Sequence, residues 1–90
     1  MESNKKKLRF FEGKLYCPVC LNGAYGFVYK ARIKNRNKEI FICDECEAVW
    51  ESEEDILNNQ FEEFEEYMHK KGLKPLWSEL TDIEEVWYKK

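Results

Sequence analysis

Apolar and polar side chains alternate clearly over residues 26–34. One set of alternate positions holds Phe27, Tyr29, Ala31 and Ile33, and the set between them holds Val28, Lys30, Arg32 and Lys34. A period of two is that of a β-strand with one buried face. The run "NRNK" at 35–38 supplies turn residues, and the β-rich run "EIFIC" follows at 39–43. The pattern therefore predicts a β-hairpin across residues 26–43.

Shorter β-rich segments lie on either side of this hairpin. The segment "LRFFEGKLYC" at 8–17 predicts two short strands joined by a turn at Glu12 and Gly13. The segment "AVWES" at 48–52 predicts a third strand beside the hairpin. Residues 8–52 are therefore expected to form a small sheet.

The hydrophobic period changes after Ser52. Large apolar residues then recur at spacings of four, three and four, namely Leu57, Phe61, Phe64 and Met68. Ser52 with an acidic residue three positions later is a capping box, and Gly72 suits the C-terminal end of a helix. These signals predict one amphipathic helix over residues 53–71. A second capping box, Thr81 with Glu84, predicts a short final helix within residues 81–90.

The fold class that these elements predict is α+β. A β-hairpin or three-stranded sheet within residues 8–52 is followed by the amphipathic helix and the short C-terminal helix within residues 53–90. Ninety residues are enough for one domain, so we expect residues 1–90 to form a single unit with the helical part packed on the sheet. Domains of this size often need a metal, a disulfide or a partner for stability.

All four cysteines stand at the two ends of the predicted hairpin. They form two C-x2-C pairs with 22 residues between them, at Cys17, Cys20, Cys43 and Cys46. A hairpin that carries a pair at each end brings four sulfur atoms together. Four thiolates arranged as a tetrahedron make a closed structural zinc site, so we expect one structural Zn²⁺. Iron held by the same ligands remains an alternative.

The expected compartment weighs against disulfides. The chain shows no apolar run of signal-peptide length and none long enough to cross a membrane, so we expect a cytoplasmic protein without a membrane partner. Thiols stay reduced in the cytosol, where paired C-x2-C motifs are more often metal sites. A thioredoxin-type redox dithiol is also disfavoured, because there are two pairs and no βαβ pattern.

These residues resemble the zinc ribbon, a family in which a β-hairpin links two cysteine knuckles. Residues 17–20, "CPVC", match the first knuckle, and residues 43–46, "CDEC", match the second. The family often has glycine directly after each knuckle, where this chain has Leu21 and Glu47. The resemblance implies a metal that stabilises the fold. It implies no particular function, because ribbons serve polymerases, ribosomes, enzymes and adaptors alike.

Charge is distributed unevenly along the chain. Residues 1–46 hold ten basic and five acidic side chains, a balance of +5, whereas residues 47–90 hold five basic and thirteen acidic ones, a balance of −8. The two halves sum to the net charge of −3. Such asymmetry indicates either a charged partner surface or complementarity between the two halves.

Protein binding is the function that this charge pattern favours. We expect the predicted helix to present an acidic face to a basic protein partner, formed by Glu62, Glu63, Glu65 and Glu66. A narrower hypothesis is an immunity or antitoxin protein that neutralises a basic, toxin-like partner, because such proteins are similar in size and charge. The alternative is a nucleic-acid-binding or transcription-associated ribbon that uses Lys30, Arg32, Lys34 and Arg36.

Catalysis has little support in the sequence. His69 is the single histidine, and neither a nucleophile motif nor a glycine-rich phosphate loop is present. We therefore expect neither enzyme activity nor a small-molecule substrate. The sequence leaves open the identity of the partner, the oligomeric state, and whether Trp77 and Trp87 belong to the core or to an interface.

Overall fold

The computed structural model describes residues 9–20, 26–34 and 36–88. Within these ranges the chain forms one antiparallel sheet of seven strands: β1 (Phe10–Phe11), β2 (Lys14–Tyr16), β3 (Phe27–Ile33), β4 (Lys38–Cys43), β5 (Ala48–Trp50), β6 (Glu62–Glu63) and β7 (Leu80–Glu84). The helical elements are α1 (Glu53–Leu57), α2 (Phe64–Lys70) and a single 3₁₀ turn, Trp77–Glu79. The fold is therefore α+β, as predicted, but the sheet dominates it.

Strand β3 is the centre of the sheet. The strands follow the order β1 to β6 across the sheet, and β3 pairs with β4 over six positions, from Val28–Cys43 to Ile33–Lys38. On the other edge of β3, strand β2 covers the beginning and β7 covers the end. The predicted hairpin, the two strands before it and the third strand at β5 are confirmed.

The predicted C-terminal helix is wrong, because Thr81 and Glu84 lie in strand β7. Strand β2 covers only the first part of the edge of β3, so the remaining backbone groups of β3 need partners. Strand β7 supplies them, with a register shift between Lys30 and Arg32. Asp82 adopts a left-handed backbone conformation (φ 54°) at this irregularity.

The single helix predicted over residues 53–71 is also wrong, because two short helices with a strand between them occupy this range. Helix α1 ends at Leu57, and Asn59 then takes a left-handed conformation (φ 57°). The chain continues as β6, which pairs with β5, before α2 begins. Both predicted end signals are confirmed. The Ser52 side chain accepts a hydrogen bond from the backbone N–H of Asp55 at 3.1 Å, and Gly72 follows α2 with φ 72°.

Each face of the sheet carries a buried cluster. One face carries a group that we call the helix cluster, which consists of Ala31, Ile33, Ile40, Ile42, Val49, Phe64, Tyr67, Met68 and Leu80. The other face carries the cysteine cluster, which consists of Leu15, Cys17, Val28, Phe41, Cys43, Ala48, Trp50 and Ile56. Strand β3 was predicted to be buried on one face. It contributes to both, since the cysteine cluster buries Val28 completely.

Residues 87–88 run across the cysteine cluster and close it. The indole N–H of Trp87 donates a hydrogen bond to the carbonyl of Val28 at 2.7 Å. The backbone N–H groups of Trp87 and Tyr88 both donate to the carbonyl of Gly13, at 3.0 and 2.9 Å. The Trp87 ring lies 4.7 Å from that of Phe41, centroid to centroid. Trp87 therefore packs against the core.

The other two tryptophans also pack inward. Trp50 is fully buried in the cysteine cluster. Trp77 is half-buried and packs against the helix cluster, where its ring meets that of Tyr29 edge-on at 6.1 Å. In the part of the chain that the structure describes, no helix has the length and apolarity needed to cross a membrane.

Candidate metal centre

The sheet register brings the two cysteine knuckles to one end of β3. Cys17 follows β2 directly, and Cys43 is the last residue of β4. Val28, near the start of β3, pairs with Leu15 of β2 on one side and with Cys43 of β4 on the other. Both knuckles therefore lie at the end of the sheet where β3 begins.

The four sulfur atoms form one compact group. The Sγ atoms of Cys17 and Cys46 are 3.6 Å apart, those of Cys20 and Cys43 are 3.5 Å apart, and all four lie within 4.8 Å of one another. A regular tetrahedron of thiolates at metal–sulfur distances of about 2.3 Å has edges of about 3.8 Å. The group is therefore fit to hold a single metal ion with four ligands, as predicted.

Backbone N–H groups point at two of the sulfur atoms. In the first knuckle, the N–H of Val19 donates to Cys17 Sγ at 3.3 Å. In the second, the N–H groups of Glu45 and Cys46 donate to Cys43 Sγ at 3.3 and 3.5 Å. Hydrogen bonds of this kind stabilise the charged form of a thiol, which is the form that binds metals.

The thiols differ in their tendency to ionise. A hydrogen bond from Cys17 lowers the pKa of Cys43 to about 5, with help from the backbone N–H groups of Cys46 and Glu45 and against the effect of burial. The same bond, together with burial, raises the pKa of Cys17. The pKa of Cys46 rises to about 12, chiefly through desolvation of its sulfur. A metal ion must displace the protons of Cys17 and Cys46, so metal binding releases protons.

Two residues outside the cysteine set tie the knuckles to the start of β3. The Asp44 side chain accepts a hydrogen bond from the N–H of Phe27 at 3.1 Å, and the Asp44 N–H donates to the carbonyl of Phe27 at 3.3 Å. The N–H of Cys17 donates to the carbonyl of Gly26 at 2.9 Å. Sequence reasoning missed both Asp44 and Gly26, since Asp44 fills a variable position of the second C-x2-C pair and Gly26 lies outside both pairs.

Glu47 occupies the position where zinc ribbons often have glycine. It adopts a left-handed backbone conformation (φ 60°), which glycine reaches without strain. Its carbonyl accepts the N–H of Phe64 at 2.9 Å, and its carboxylate accepts the indole N–H of Trp77 at 3.4 Å. Glu47 thus adopts a conformation that favours glycine although it carries a side chain. The corresponding position after the first knuckle, Leu21, lies outside the described residues.

Two of the four predicted basic residues face carboxylates of the same protein. Lys30 pairs with Glu39 at 3.5 Å. Arg32 pairs with Glu39 at 3.8 Å and with Asp82 at 3.3 Å, and it also donates to the Asn37 side chain at 3.0 Å. The structure therefore brings Lys30 and Arg32 together, but it places them in an internal charge network.

The other two basic residues lie near the end of the hairpin. Arg36 donates a hydrogen bond to the backbone carbonyl of Lys71, just after α2. Lys34 is exposed and makes no ion pair within the described ranges 9–20, 26–34 and 36–88. Of the predicted basic cluster, Lys34 thus has the most accessible charge.

The predicted acidic residues do not share one helix face. Glu62 and Glu63 form β6, whereas Glu65 and Glu66 lie in the first turn of α2. Glu62 pairs with Lys70 at 2.8 Å. The other three are exposed, and none has an ion-pair partner among the residues whose positions are described.

Comparisons with known proteins give limited information. No family model matches the chain, and no solved structure matches it. Among curated proteins, the chain is similar to "Uncharacterized protein L48" of Acanthamoeba polyphaga mimivirus, with 39% identity over 51 residues. The match covers 50% of this chain and 42% of the viral protein, so the chain spans less than half of that relative's length. The name of the viral protein assigns no activity.

Proposed function

We propose that this chain is a non-enzymatic protein-binding module whose fold is held together by one structural zinc ion in a ribbon-like site. Four cysteine thiolates in a closed tetrahedral set are the ligands typical of structural zinc, and such a set leaves no position for water or substrate. The metal would be bound by Cys17, Cys20, Cys43 and Cys46. Bound there, zinc supplies folding free energy and no catalytic chemistry.

The size of this contribution supports a stabilising role. Structural zinc sites supply on the order of 10 kcal/mol or more at neutral pH, and the whole stability of a small domain is roughly 5–15 kcal/mol. Here Cys17 and Cys43 belong to the cysteine cluster itself. The ion would therefore hold the two knuckles against the apolar cysteine cluster, which includes Val28.

The observation that carries the protein-binding proposal is the distribution of unpaired charge. Lys30 and Arg32 are neutralised by carboxylates of the chain itself. By contrast, Glu63, Glu65 and Glu66 project their charge into solvent without an ion-pair partner in the described residues. An uncompensated negative surface attracts a positively charged partner and accelerates the encounter.

The partner that fits this surface is a basic protein. A narrower form of the proposal is an immunity or antitoxin protein that neutralises a basic, toxin-like protein. Its support is the balance of −8 over residues 47–90. The nucleic-acid alternative has less support, since a phosphate backbone would compete with Glu39 and Asp82 for Lys30 and Arg32.

A charge-reversal experiment tests the proposal. The zinc-loaded full chain is immobilised and exposed to a nuclease-treated extract of the cells that produce it. The captured proteins are quantified by mass spectrometry. We expect the wild-type chain to retain a basic protein in stoichiometric amount. The triple variant Glu63→Lys, Glu65→Lys and Glu66→Lys should lose that protein, because each substitution replaces an attractive charge with a repulsive one.

A matched control changes the net charge equally at other exposed sites, with Glu12→Lys, Glu54→Lys and Glu84→Lys. The control should keep the partner, which separates a local surface from an effect of total charge. The proposal fails if both triple variants bind as the wild type does. It also fails if the treated extract yields no protein partner, while a parallel extract without nuclease yields bound nucleic acid whose retention depends on Lys34.

A further inference from the structure

Gly26 lies between the two cysteine knuckles in a space that admits no side chain. A Cβ atom placed on Gly26 would stand 2.6 Å from the Sγ of Cys43 and 2.9 Å from both Cβ and Cγ of Glu45. Real Cβ atoms essentially never approach other heavy atoms within 3.0 Å. The backbone of Gly26 is therefore in direct contact with a predicted metal ligand.

Space, and not backbone conformation, explains the glycine at this position. Gly26 is not among the residues with positive φ, so alanine has no intrinsic difficulty with its backbone angles. Gly72 is the opposite case, with φ 72° and no atom within 4 Å of the place that a Cβ would occupy. Alanine at position 72 would be strained by its backbone, whereas alanine at position 26 would collide with Cys43 and Glu45.

The collision depends on where the Cys43 sulfur is held. A free thiol can turn about its Cα–Cβ bond and move away from a neighbouring methyl group. A thiolate bound in a tetrahedral site has lost this freedom, because its sulfur must point at the metal. The part of the cost that comes from the Cys43 sulfur therefore falls mainly on the metal-bound state, whereas the contact with Glu45 Cβ is present with or without metal.

Gly26 also contacts the other knuckle. Its carbonyl accepts the hydrogen bond from the N–H of Cys17 at 2.9 Å. A shift of the Gly26 backbone away from Cys43 would therefore move or break the link to Cys17. Either response to an added side chain disturbs the sulfur positions.

We propose that Gly26 is a positioning residue of the metal centre, which sets the distance between the two knuckles by having no side chain. The inference rests on the proposed metal site and adds a determinant outside its four ligands. Residues just outside the ligand set typically change metal affinity by about 10- to 100-fold when they are altered. We expect a loss in this range for Gly26→Ala.

The test is titration of the metal-free full chain with Co²⁺, which reports the ligand geometry through its absorption spectrum, followed by competition with Zn²⁺. Wild type should show the spectrum of a tetrahedral four-thiolate site. Gly26→Ala should bind Co²⁺ about 10- to 100-fold more weakly and with an altered spectrum. Gly72→Ala is the matched control: it lowers stability through backbone strain, but it should keep the wild-type spectrum.

A double variant identifies the colliding atom. Glu45→Gly removes the two side-chain atoms of Glu45 near position 26 and leaves the Cys43 sulfur, the nearest atom of all. Gly26→Ala combined with Glu45→Gly should therefore stay weak in Co²⁺ binding. Full recovery in the double variant would overturn the role assigned to the sulfur contact.

Two further outcomes separate this inference from the metal site on which it rests. A wild-type spectrum together with an affinity loss no greater than that of Gly72→Ala would refute the role of Gly26 and leave the metal centre intact. Failure of the wild-type chain itself to give a four-thiolate Co²⁺ spectrum would refute the metal centre.

Discussion

Replacement of Trp87 tests the contact by which the C-terminal residues close the cysteine cluster. Trp87→Phe keeps an aromatic ring beside Phe41 but removes the indole N–H that donates to the carbonyl of Val28 at 2.7 Å. A hydrogen bond of this kind contributes about 0.5–1.5 kcal/mol net, so we expect Trp87→Phe to cost about 1 kcal/mol. Trp87→Ala also loses the ring packing. Because Trp87 is half-buried, its cost should lie at about 2–3 kcal/mol, below the value of about 3–5 kcal/mol for a fully buried ring.

The assay is urea unfolding at saturating Zn²⁺, followed by circular dichroism because removal of a tryptophan alters the fluorescence signal. The free energy of unfolding should fall in the order wild type, Trp87→Phe, Trp87→Ala. Leu76→Ala serves as the control, since Leu76 is 49% exposed and should change stability by no more than about 0.5 kcal/mol. If Trp87→Ala costs no more than this control, residues 87–88 do not pack on the cysteine cluster.

Two other contacts lead to predictions of the same kind. Asp44→Ala removes the acceptor for the N–H of Phe27, so it should cost about 1 kcal/mol in the zinc-bound protein and accelerate zinc transfer to a chelator; an unchanged transfer rate would contradict the role of Asp44 at the second knuckle. Tyr67→Phe removes the hydroxyl that donates to Glu51 at 2.7 Å, a bond that is the main cause of the lowered pKa of Glu51. Because the folded-state pKa of Glu51 lies below its ordinary value of 4.5, the stabilisation is present above that pH and disappears as the pH falls through the folded-state pKa. The stability difference between wild type and Tyr67→Phe, measured by urea unfolding at a series of pH values, should therefore shrink under acidic conditions, and a difference that does not vary with pH would contradict this reading.

The clustering of the four cysteines could be predicted from the sequence because it depends largely on local signals. The alternation at residues 26–34 identified β3, and the turn residues after it identified the hairpin. Once the hairpin is established, the positions of Cys17 and Cys43 at its two ends follow from the pairing of both flanking strands with the start of β3. The hairpin pattern and the spacing of the cysteines were therefore enough to predict that the four sulfur atoms lie together.

The helix predicted over residues 53–71 failed because its apolar period also fits another arrangement. Leu57 and Phe64 belong to different helices, and Phe61, placed on the same predicted stripe, is 40% exposed beside Trp50. The signal that was overlooked is the pair of asparagines at 58 and 59, since asparagine tolerates the left-handed conformation seen at Asn59. Pairing of β6 with β5 then outweighs local helix preference.

Strand β7 could not be derived from the sequence in the same way. Thr81 and Glu84 satisfy the capping-box pattern, and the local residues do not contradict a helix. The deciding fact is tertiary: β2 leaves the second part of the edge of β3 open, from Lys30 to Ile33. A pattern within ten residues holds no information about a vacant strand edge fifty residues earlier in the chain.

The contact at Gly26 could not be predicted from the sequence either. A glycine is needed at position 26 because Cys43 and Glu45 of the second knuckle lie against it. Their position depends on the full register between β3 and β4. The charge pairing of Lys30 and Arg32 depends in the same way on Glu39 across the hairpin and on Asp82 in β7. The sequence identified the charged residues that could bind a partner. The pairing of strands determines which of their charges remain accessible to solvent.

Native mass spectrometry of the full chain, purified under reducing conditions and measured before and after chelation, tests the central claim most directly. The account predicts one zinc ion per chain before chelation. It also predicts that the metal-free chain unfolds at a much lower urea concentration, as expected when metal binding supplies folding free energy. The account would be contradicted if the metal-free chain, with four free thiols or two disulfides, were as stable in urea as the chain before chelation.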